Sequence, residues 1–192
     1  TRQFPGASGF FIHPVSDHAV MAGNGTIGLE ILEDLPDVDE IFIPYGGGGL
    51  SCGIAAAVRA LRPSTALLAC EVETSAAFSA ALAAGAITKI DYRPSFVDGI
   101  GSASVLPEMW PLARRLLNGS RVVTLAQVAE AIGVLAGRSR IIAEGAGAAP
   151  VAAALAARRN GTSHHWKTVC VVSGGNIDLT RLVELLDTRR PS

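Results

Sequence analysis

Four consecutive glycines, Gly46-Gly47-Gly48-Gly49, stand between a strand-like apolar run, Ile41-Phe42-Ile43-Pro44, and an Ala-rich stretch of helical length that begins at Leu50. With no side chains in the turn, backbone N–H groups alone line it, at the positive end of the helix that follows. One glycine would serve a strand-to-helix turn, and each further one raises the entropic cost of folding. The run therefore reads as an anion cradle. It lacks the Gly-Lys-Ser/Thr that would make it a nucleotide P-loop. The one Gly-x-Gly-x-x-Gly match, Gly23 to Gly28, follows Pro14-Val15-Ser16-Asp17-His18, which is no strand, so a dinucleotide fingerprint is not supported.

Around this loop, short runs rich in Ile, Val and Leu alternate with Ala-rich helical stretches, the pattern of parallel strands joined by crossover helices. The expected class is α/β, with an open, mostly parallel sheet and helices on both faces. Strands are expected at 10–12, 41–44, 66–72, 121–123 and 168–172. The runs at 41, 66 and 168 are apolar at nearly every position, as doubly covered strands should be. Helices are expected at about 26–35, 50–61, 75–83, 107–117, 125–138, 146–159 and 179–186. Thr124 is placed to cap the fifth, whose apolar face is Leu125, Val128, Ile132 and Leu135. The stretch from Thr88 to Ser104, with Pro94, Gly99 and Gly101, has no clear period and reads as a loop at the mouth of a site.

Composition narrows the function. The 192 residues are 49% hydrophobic and 17% charged, with a net charge of −1, so a real core is affordable in size. No basic stripe is present to meet a phosphate backbone, which argues against nucleic acid as a partner. No apolar run reaches membrane-span length and the first residues are not a signal peptide, so no membrane partner and a cytoplasmic setting are expected. Cys52, Cys70 and Cys170 are odd in number and widely spaced, and read as small buried apolar side chains. The Asn-Gly pairs at Asn24, Asn118 and Asn160 read as turn and helix-end chemistry. Glu33, Asp34, Asp37, Asp39 and Glu40 read as a solvated face, and His164-His165 as part of a surface loop. His13 and His18 receive no role.

Two further glycine clusters bear on the site. Val172-Ser173-Gly174-Gly175-Asn176 repeats the strand–loop–helix geometry, and loops at the carboxyl ends of parallel strands share one face. Together the two loops suggest one ligand, with a phosphate at one end and a hydrogen-bonding atom at the other. Glu144-Gly145-Ala146-Gly147 puts a carboxylate at the start of a helix, where on residue chemistry alone it could simply match the helix dipole.

Gly23-Asn24-Gly25-Thr26-Ile27-Gly28-Leu29-Glu30, Ile43-Pro44-Tyr45-Gly46-Gly47-Gly48-Gly49-Leu50, Asp98-Gly99-Ile100, Glu144-Gly145-Ala146-Gly147-Ala148 and Ser173-Gly174-Gly175-Asn176-Ile177-Asp178 follow one another in an order that resembles the serine/threonine dehydratases. These are pyridoxal-phosphate-dependent enzymes of the tryptophan-synthase β-like fold (fold type II), a family that also includes serine racemase. The resemblance spans about Gly6 to Leu186 and matches the C-terminal part of such an enzyme. It implies that Gly46, Gly47, Gly48 and Gly49 bind the phosphate of pyridoxal 5'-phosphate and that the Gly99 backbone lies near the pyridine ring. It also implies that Ser173 hydrogen-bonds the ring nitrogen and that Glu144 faces cofactor and substrate, which makes Ser173 and Glu144 the catalytic candidates.

The implied activity is dehydration and deamination of serine or threonine to a 2-oxo acid and ammonia. Serine racemisation is one alternative, and a non-catalytic fragment or subunit is another. The implied partners are a small amino-acid substrate and a second copy in a homodimer. The family's Ser-Phe-Lys-x-Arg-Gly motif, which carries the Schiff-base lysine, is not in this chain, and Lys89 and Lys167 match nothing catalytic. The Ser-x-Gly-Asn-His segment is likewise missing. At the divalent-cation site of some relatives Glu71 matches one carboxylate, but Val72 replaces a proline and Ala77 a second acid, so metal is not expected. Residues 1–20 are expected to be an entry segment and 21–192 most of the large cofactor domain.

Overall fold

Every residue of β1, Glu40–Pro44, is buried, which a strand can sustain only when its two edges are paired and its two faces covered. The computed structural model describes residues 6, 9, 11–161 and 166–187. In it, β1 pairs in parallel with β2 (Ala66–Val72) on one side and with β4 (Thr168–Cys170) on the other, and β2 pairs in parallel with β3 (Gly119–Val123). The strand order is β3-β2-β1-β4.

Alternate residues of the strands feed two cores. Ile41, Ile43, Leu67 and Ala69 pack with α1 (His18–Asp34), α2 (Gly49–Leu61), α3 (Ala77–Ala84) and α4 (Trp110–Leu116). Phe42, Leu68, Cys70 and Val72 pack with α5 (Leu125–Val134), α6 (Gly145–Arg159) and α7 (Leu179–Asp187). This is the expected open parallel sheet with helices on both faces.

The chain runs from β1 outward through β2 and β3 and then returns to the other side of β1 as β4. Its exits from β1 and β4 therefore lead to opposite faces, α2 on one and α7 on the other. Between the two exits a crevice opens at the carboxyl ends of the strands.

The strands expected at 41, 66, 121 and 168 are all present. Phe11 and Ile12 are not in a strand and are exposed, while Phe10 lies outside the described residues. The helix expected from Thr26 begins at His18, where the Asp17 carboxylate accepts from Ala19 N at 2.8 Å. Gly23, Asn24 and Gly25 therefore lie inside a helix rather than before one.

The glycines have a packing reason. A Cβ at Gly25 would lie 3.2 Å from the Gly53 carbonyl oxygen, and one at Gly28 would lie 2.9 Å from that of Ile54, so α1 is pressed against α2 backbone to backbone. The other two Asn-Gly pairs do close elements. Asn118 accepts from Leu67 N at 2.7 Å beside the start of β3, and Asn160 ends α6.

The helix expected to run to Arg138 stops being regular at Val134 and continues as a wider π turn, Leu135–Ser139. Thr124 caps it as expected, within a reciprocal capping box with Gln127. Glu40 departs from the solvated face expected of its acidic neighbours: it is buried, and its carboxylate accepts from Thr168 Oγ1 at 2.7 Å. The pair His164-His165 lies outside the described residues.

Gly53→Ala should force the two helices apart, because its Cβ would lie 2.3 Å from the Met21 carbonyl oxygen. A loss of about 1–3 kcal/mol is expected from such overpacking. Gly23→Ala, with nothing within 4 Å of its Cβ, should instead add roughly 0.5–1 kcal/mol through helix propensity. Urea unfolding of the two variants checks both signs.

Candidate functional site

β1 ends at Pro44, and Ser51 Oγ donates to the Pro44 carbonyl at 2.7 Å, tying the first turn of α2 to the strand end. Between them, Gly48 takes a left-handed conformation at φ +96°, which a residue with a Cβ adopts at a cost. Under the loop the Tyr45 ring stacks on Phe78 with centroids 4.5 Å apart, and its buried hydroxyl has no hydrogen-bond partner among the described residues.

The helix that begins here has no side-chain cap and no acid in its first turn. The N–H groups of Gly46, Gly47 and Gly48 donate to no acceptor among the described residues. Unengaged donors at a helix N-terminus are what an anion needs.

These glycines line a cleft of about 200 Å³ together with Val15, Asn24, Gly99, Ile100, Glu144 and Ser173. The structure therefore brings together every candidate named from the sequence except Glu71. The contacts are close enough to require glycine: a Cβ at Gly46 would lie 2.9 Å from Ile100 Cα, and one at Gly99 would lie 2.9 Å from Ala146 Cβ. The loop expected at the mouth of a site thus carries Gly99 and Ile100 into the cleft.

Glu144 stands at the N-cap of α6 but makes no capping hydrogen bond with its side chain. Its carboxylate is turned into the cleft instead, so close to the loop after β4 that a Cβ at Gly174 would lie 2.3 Å from its Oε1. Its backbone N–H donates to the Gly174 carbonyl at 3.1 Å, which joins the start of α6 to that loop. Desolvation and, secondarily, the nearby Asp98 charge hold the Glu144 carboxyl above the usual carboxylate range. Ser173, on the same loop, is exposed to the cleft.

Glu71 serves the fold. Its carboxylate accepts from Phe78 N at 2.7 Å, Ser79 N at 2.8 Å and Ser120 Oγ at 2.6 Å, anchoring the start of α3, and burial raises its pKa. Burial also pushes the Cys52 and Cys170 thiols up to about 12, so neither is poised as a thiolate.

Larger hollows lie elsewhere. One of about 430 Å³ between α1 and α2 is lined almost wholly by apolar groups, and one of about 570 Å³ surrounds Phe11, His13 and Asp17. There His13 Nδ1 accepts from Ser16 N at 3.0 Å and Asp17 caps α1, so both side chains hold local turns.

Those turns matter for the cleft, because they present Val15 to the glycines: a Cβ at Gly49 would lie 2.5 Å from the Val15 carbonyl oxygen. Val15 and Asn24 are among the lining residues that sequence reasoning missed. Neither carries a catalytic group; the bend before α1 brings Val15 to the loop, and the packing of α1 on α2 brings Asn24.

A parallel α/β domain with an uncapped glycine turn and a polar pair at the sheet's switch point belongs to the class of open-sheet domains whose ligand crevice lies at the carboxyl ends of the strands. Within that class the model of the pyridoxal-phosphate dependent enzymes matches residues 2–175, and the chain belongs to that family. It is 44% identical over 171 residues to an L-threonine ammonia-lyase of Geobacter sulfurreducens, covering 88% of this chain and 42% of that protein. It is 35% identical over 175 residues to the L-threonine dehydratase catabolic TdcB of Escherichia coli K12, covering 91% and 53%.

Among solved structures, the processed form of threonine deaminase isoform 2 from Solanum lycopersicum aligns with a TM-score of 0.88 at 30% identity, covering 94% of this chain and 52% of that one. Maize serine racemase aligns at 0.82 and 32%, covering 92% and 54%. The fold is thus that of the tryptophan-synthase β-like enzymes. The chain spans about half the length of the curated relatives it matches.

Because Asp98 adds to the upward shift of Glu144, Asp98→Asn should bring that carboxyl back toward the ordinary range, as read by the ¹³C titration of its carboxyl group. A raised carboxyl favours folding most below the ordinary carboxylate pKa, and this contribution is lost as pH rises through the raised value. The variant should narrow that pH window. An unchanged midpoint would show that Asp98 does not act on Glu144.

Proposed function

We propose that the cleft binds pyridoxal 5'-phosphate and that the protein carrying this chain dehydrates and deaminates a small β-hydroxy amino acid, serine or threonine, to a 2-oxo acid and ammonia. One observation carries this reading: the uncapped, acid-free start of α2 opens into the same cleft as Ser173 and Glu144. The names of the sequence relatives, threonine ammonia-lyase and threonine dehydratase, support the activity. The likeness to maize serine racemase supports a second reading, racemisation of serine at the same site.

The residues fit the cofactor. Gly46 to Gly49 would offer N–H groups to its phosphate, and Gly99, packed so closely on α6 that a Cβ would lie 2.9 Å from Ala146 Cβ, would present only backbone to its ring. Bound there, the cofactor supplies an electron sink for the substrate α-carbon. Ser173 can exchange a hydrogen bond with the ring nitrogen, but a neutral hydroxyl does not enforce its protonation as a carboxylate would. Glu144, whose affinity for a proton is raised by desolvation and by the Asp98 charge, is placed to exchange a proton with a ligand in the cleft.

The lysine that attaches the cofactor is not among the two in this chain. Lys89 is exposed, and Lys167 lies at the amino end of β4, paired with Asp37. A cytoplasmic homodimer acting on a free amino acid belongs to the same reading.

Gly47→Asp sets a carboxylate among the donors. Its Cβ would lie 2.5 Å from a Val15 methyl, and Val15 sits half-buried on a turn that can yield. The variant should lose pyridoxal 5'-phosphate binding, followed by fluorescence, with the far-UV circular dichroism nearly unchanged. Retained binding would make the loop a turn and nothing more. Borohydride reduction of the chain with the cofactor, followed by peptide mapping, should leave Lys89 and Lys167 without stoichiometric label. Full labelling of either would overturn the assignment of the attachment lysine.

A further inference from the structure

We propose that the Asn24 carboxamide donates a side-chain hydrogen bond to the phosphate end of the ligand held at Gly46 to Gly49. The inference deepens the proposed function and rests on the cradle assigned there.

Asn24 is the seventh residue of α1, where an amide side chain has no capping role. It is half-buried and lines the same cleft as the four glycines. No hydrogen bond of its carboxamide occurs among the described residues. Its position is built by close packing, since Gly25 and Gly28 let α1 touch the backbone of α2 and a Cβ at Gly53 would lie 2.9 Å from Asn24 Cβ. Gly53 is one turn beyond Gly49, so Asn24 emerges beside the first turn of α2, on the side from which the loop is approached.

The charge balance of the cleft makes such a donor useful. Among the described residues no Lys or Arg lines it, and Glu144 is the one ionisable group that does. An anion there must be met by backbone N–H groups, the helix dipole and neutral side-chain donors. Of the lining side chains, only Asn24, Ser173 and a protonated Glu144 can donate, and Glu144 and Ser173 are set on the loop and helix start across the cleft.

The test uses 4-deoxypyridoxine 5'-phosphate and 4-deoxypyridoxine, ring analogues without the aldehyde that would react with lysines, bound to the 192-residue chain and followed by ligand-observed NMR. The parent should prefer the phosphate ester. Asn24→Leu should weaken the ester by roughly tenfold to a hundredfold, the worth of one hydrogen bond to a charged group, and leave the phosphate-free ligand unchanged. Asn24→Gln should restore part of the preference. Asn24→Asp, nearly isosteric and so a guard against misfolding, should lose more than Asn24→Leu.

Equal weakening of both ligands, or ester binding by Asn24→Leu within about twofold of the parent, would overturn this inference while the cradle stands. A parent that does not distinguish ester from alcohol would overturn the cradle and this inference together.

Discussion

Everything on the functional side of the domain depends on the parallel pairing of β1 at both edges. Since β2 and β4 flank it, β1 is the strand where the order of the chain reverses, and its exit and that of β4 diverge to opposite faces. Helices that cross back over a parallel sheet keep the carboxyl ends clear where they diverge, and a ligand finds room there without any cavity being cut into the core. The two-sided burial of Ile41, Phe42 and Ile43 also fixes the register. A slip of one residue would send each of them to the wrong core and move the start of the glycine loop.

The second constraint is steric and runs across the crevice. Backbone from α6 and its approach, from the loop before α4 and from the loop after β4 meets at distances that exclude a Cβ at Gly145, Gly147 and Gly175, while Gly99 faces Ala146 Cβ and Gly174 the Glu144 carboxylate. Such glycines lower the stability of the segments that hold them. Their return is geometric, for the Glu144 carboxylate is wedged between Gly174 and Gly99 instead of turning back to cap its own helix. A carboxyl oriented by backbone rather than by a salt bridge stays partly desolvated and unpaired, which is why its affinity for a proton rises.

The strands at 41 and 66 were legible because two-sided burial writes a nearly unbroken apolar run, those at 121 and 168 because each opens or carries a short Val-rich run, and the glycine turn because four adjacent glycines have few other uses. What escaped was written in longer-range packing. The Gly-x-Gly of α1 looks like loop chemistry until Gly53 is placed against it, so the helix seemed to begin eight residues late, at Thr26 instead of His18. Glu40 looked like one more surface acid in an acidic run, and its burial beside Thr168 depends on a partner 128 residues away. Glu71 carries the residue type of a metal ligand, but the start of α3 and Ser120 occupy its oxygens, a competition that no local pattern announces. Val15 and Asn24 reach the cleft through the turn held by His13 and through the α1–α2 contact, neither of which has a motif.

The cleft is not electrically uniform, and that restricts what it can hold. At the start of α2 lie unengaged N–H groups with no acid in the first turn, while Glu144, with the Asp98 charge acting on it, brings a carboxylate to the same cleft. A ligand carrying anionic charge at both ends would gain at the glycines and lose at the carboxylates, while a purely cationic one would do the reverse. The arrangement suits a ligand that is anionic at one end and, toward Glu144, neutral, cationic or able to share a proton. Because no Lys or Arg among the described residues lines it, the hold this chain could offer an anion comes from dipoles fixed by the fold. Anything that displaces the first turn of α2 weakens it, including a shift of α1 that no ligand contact would reveal.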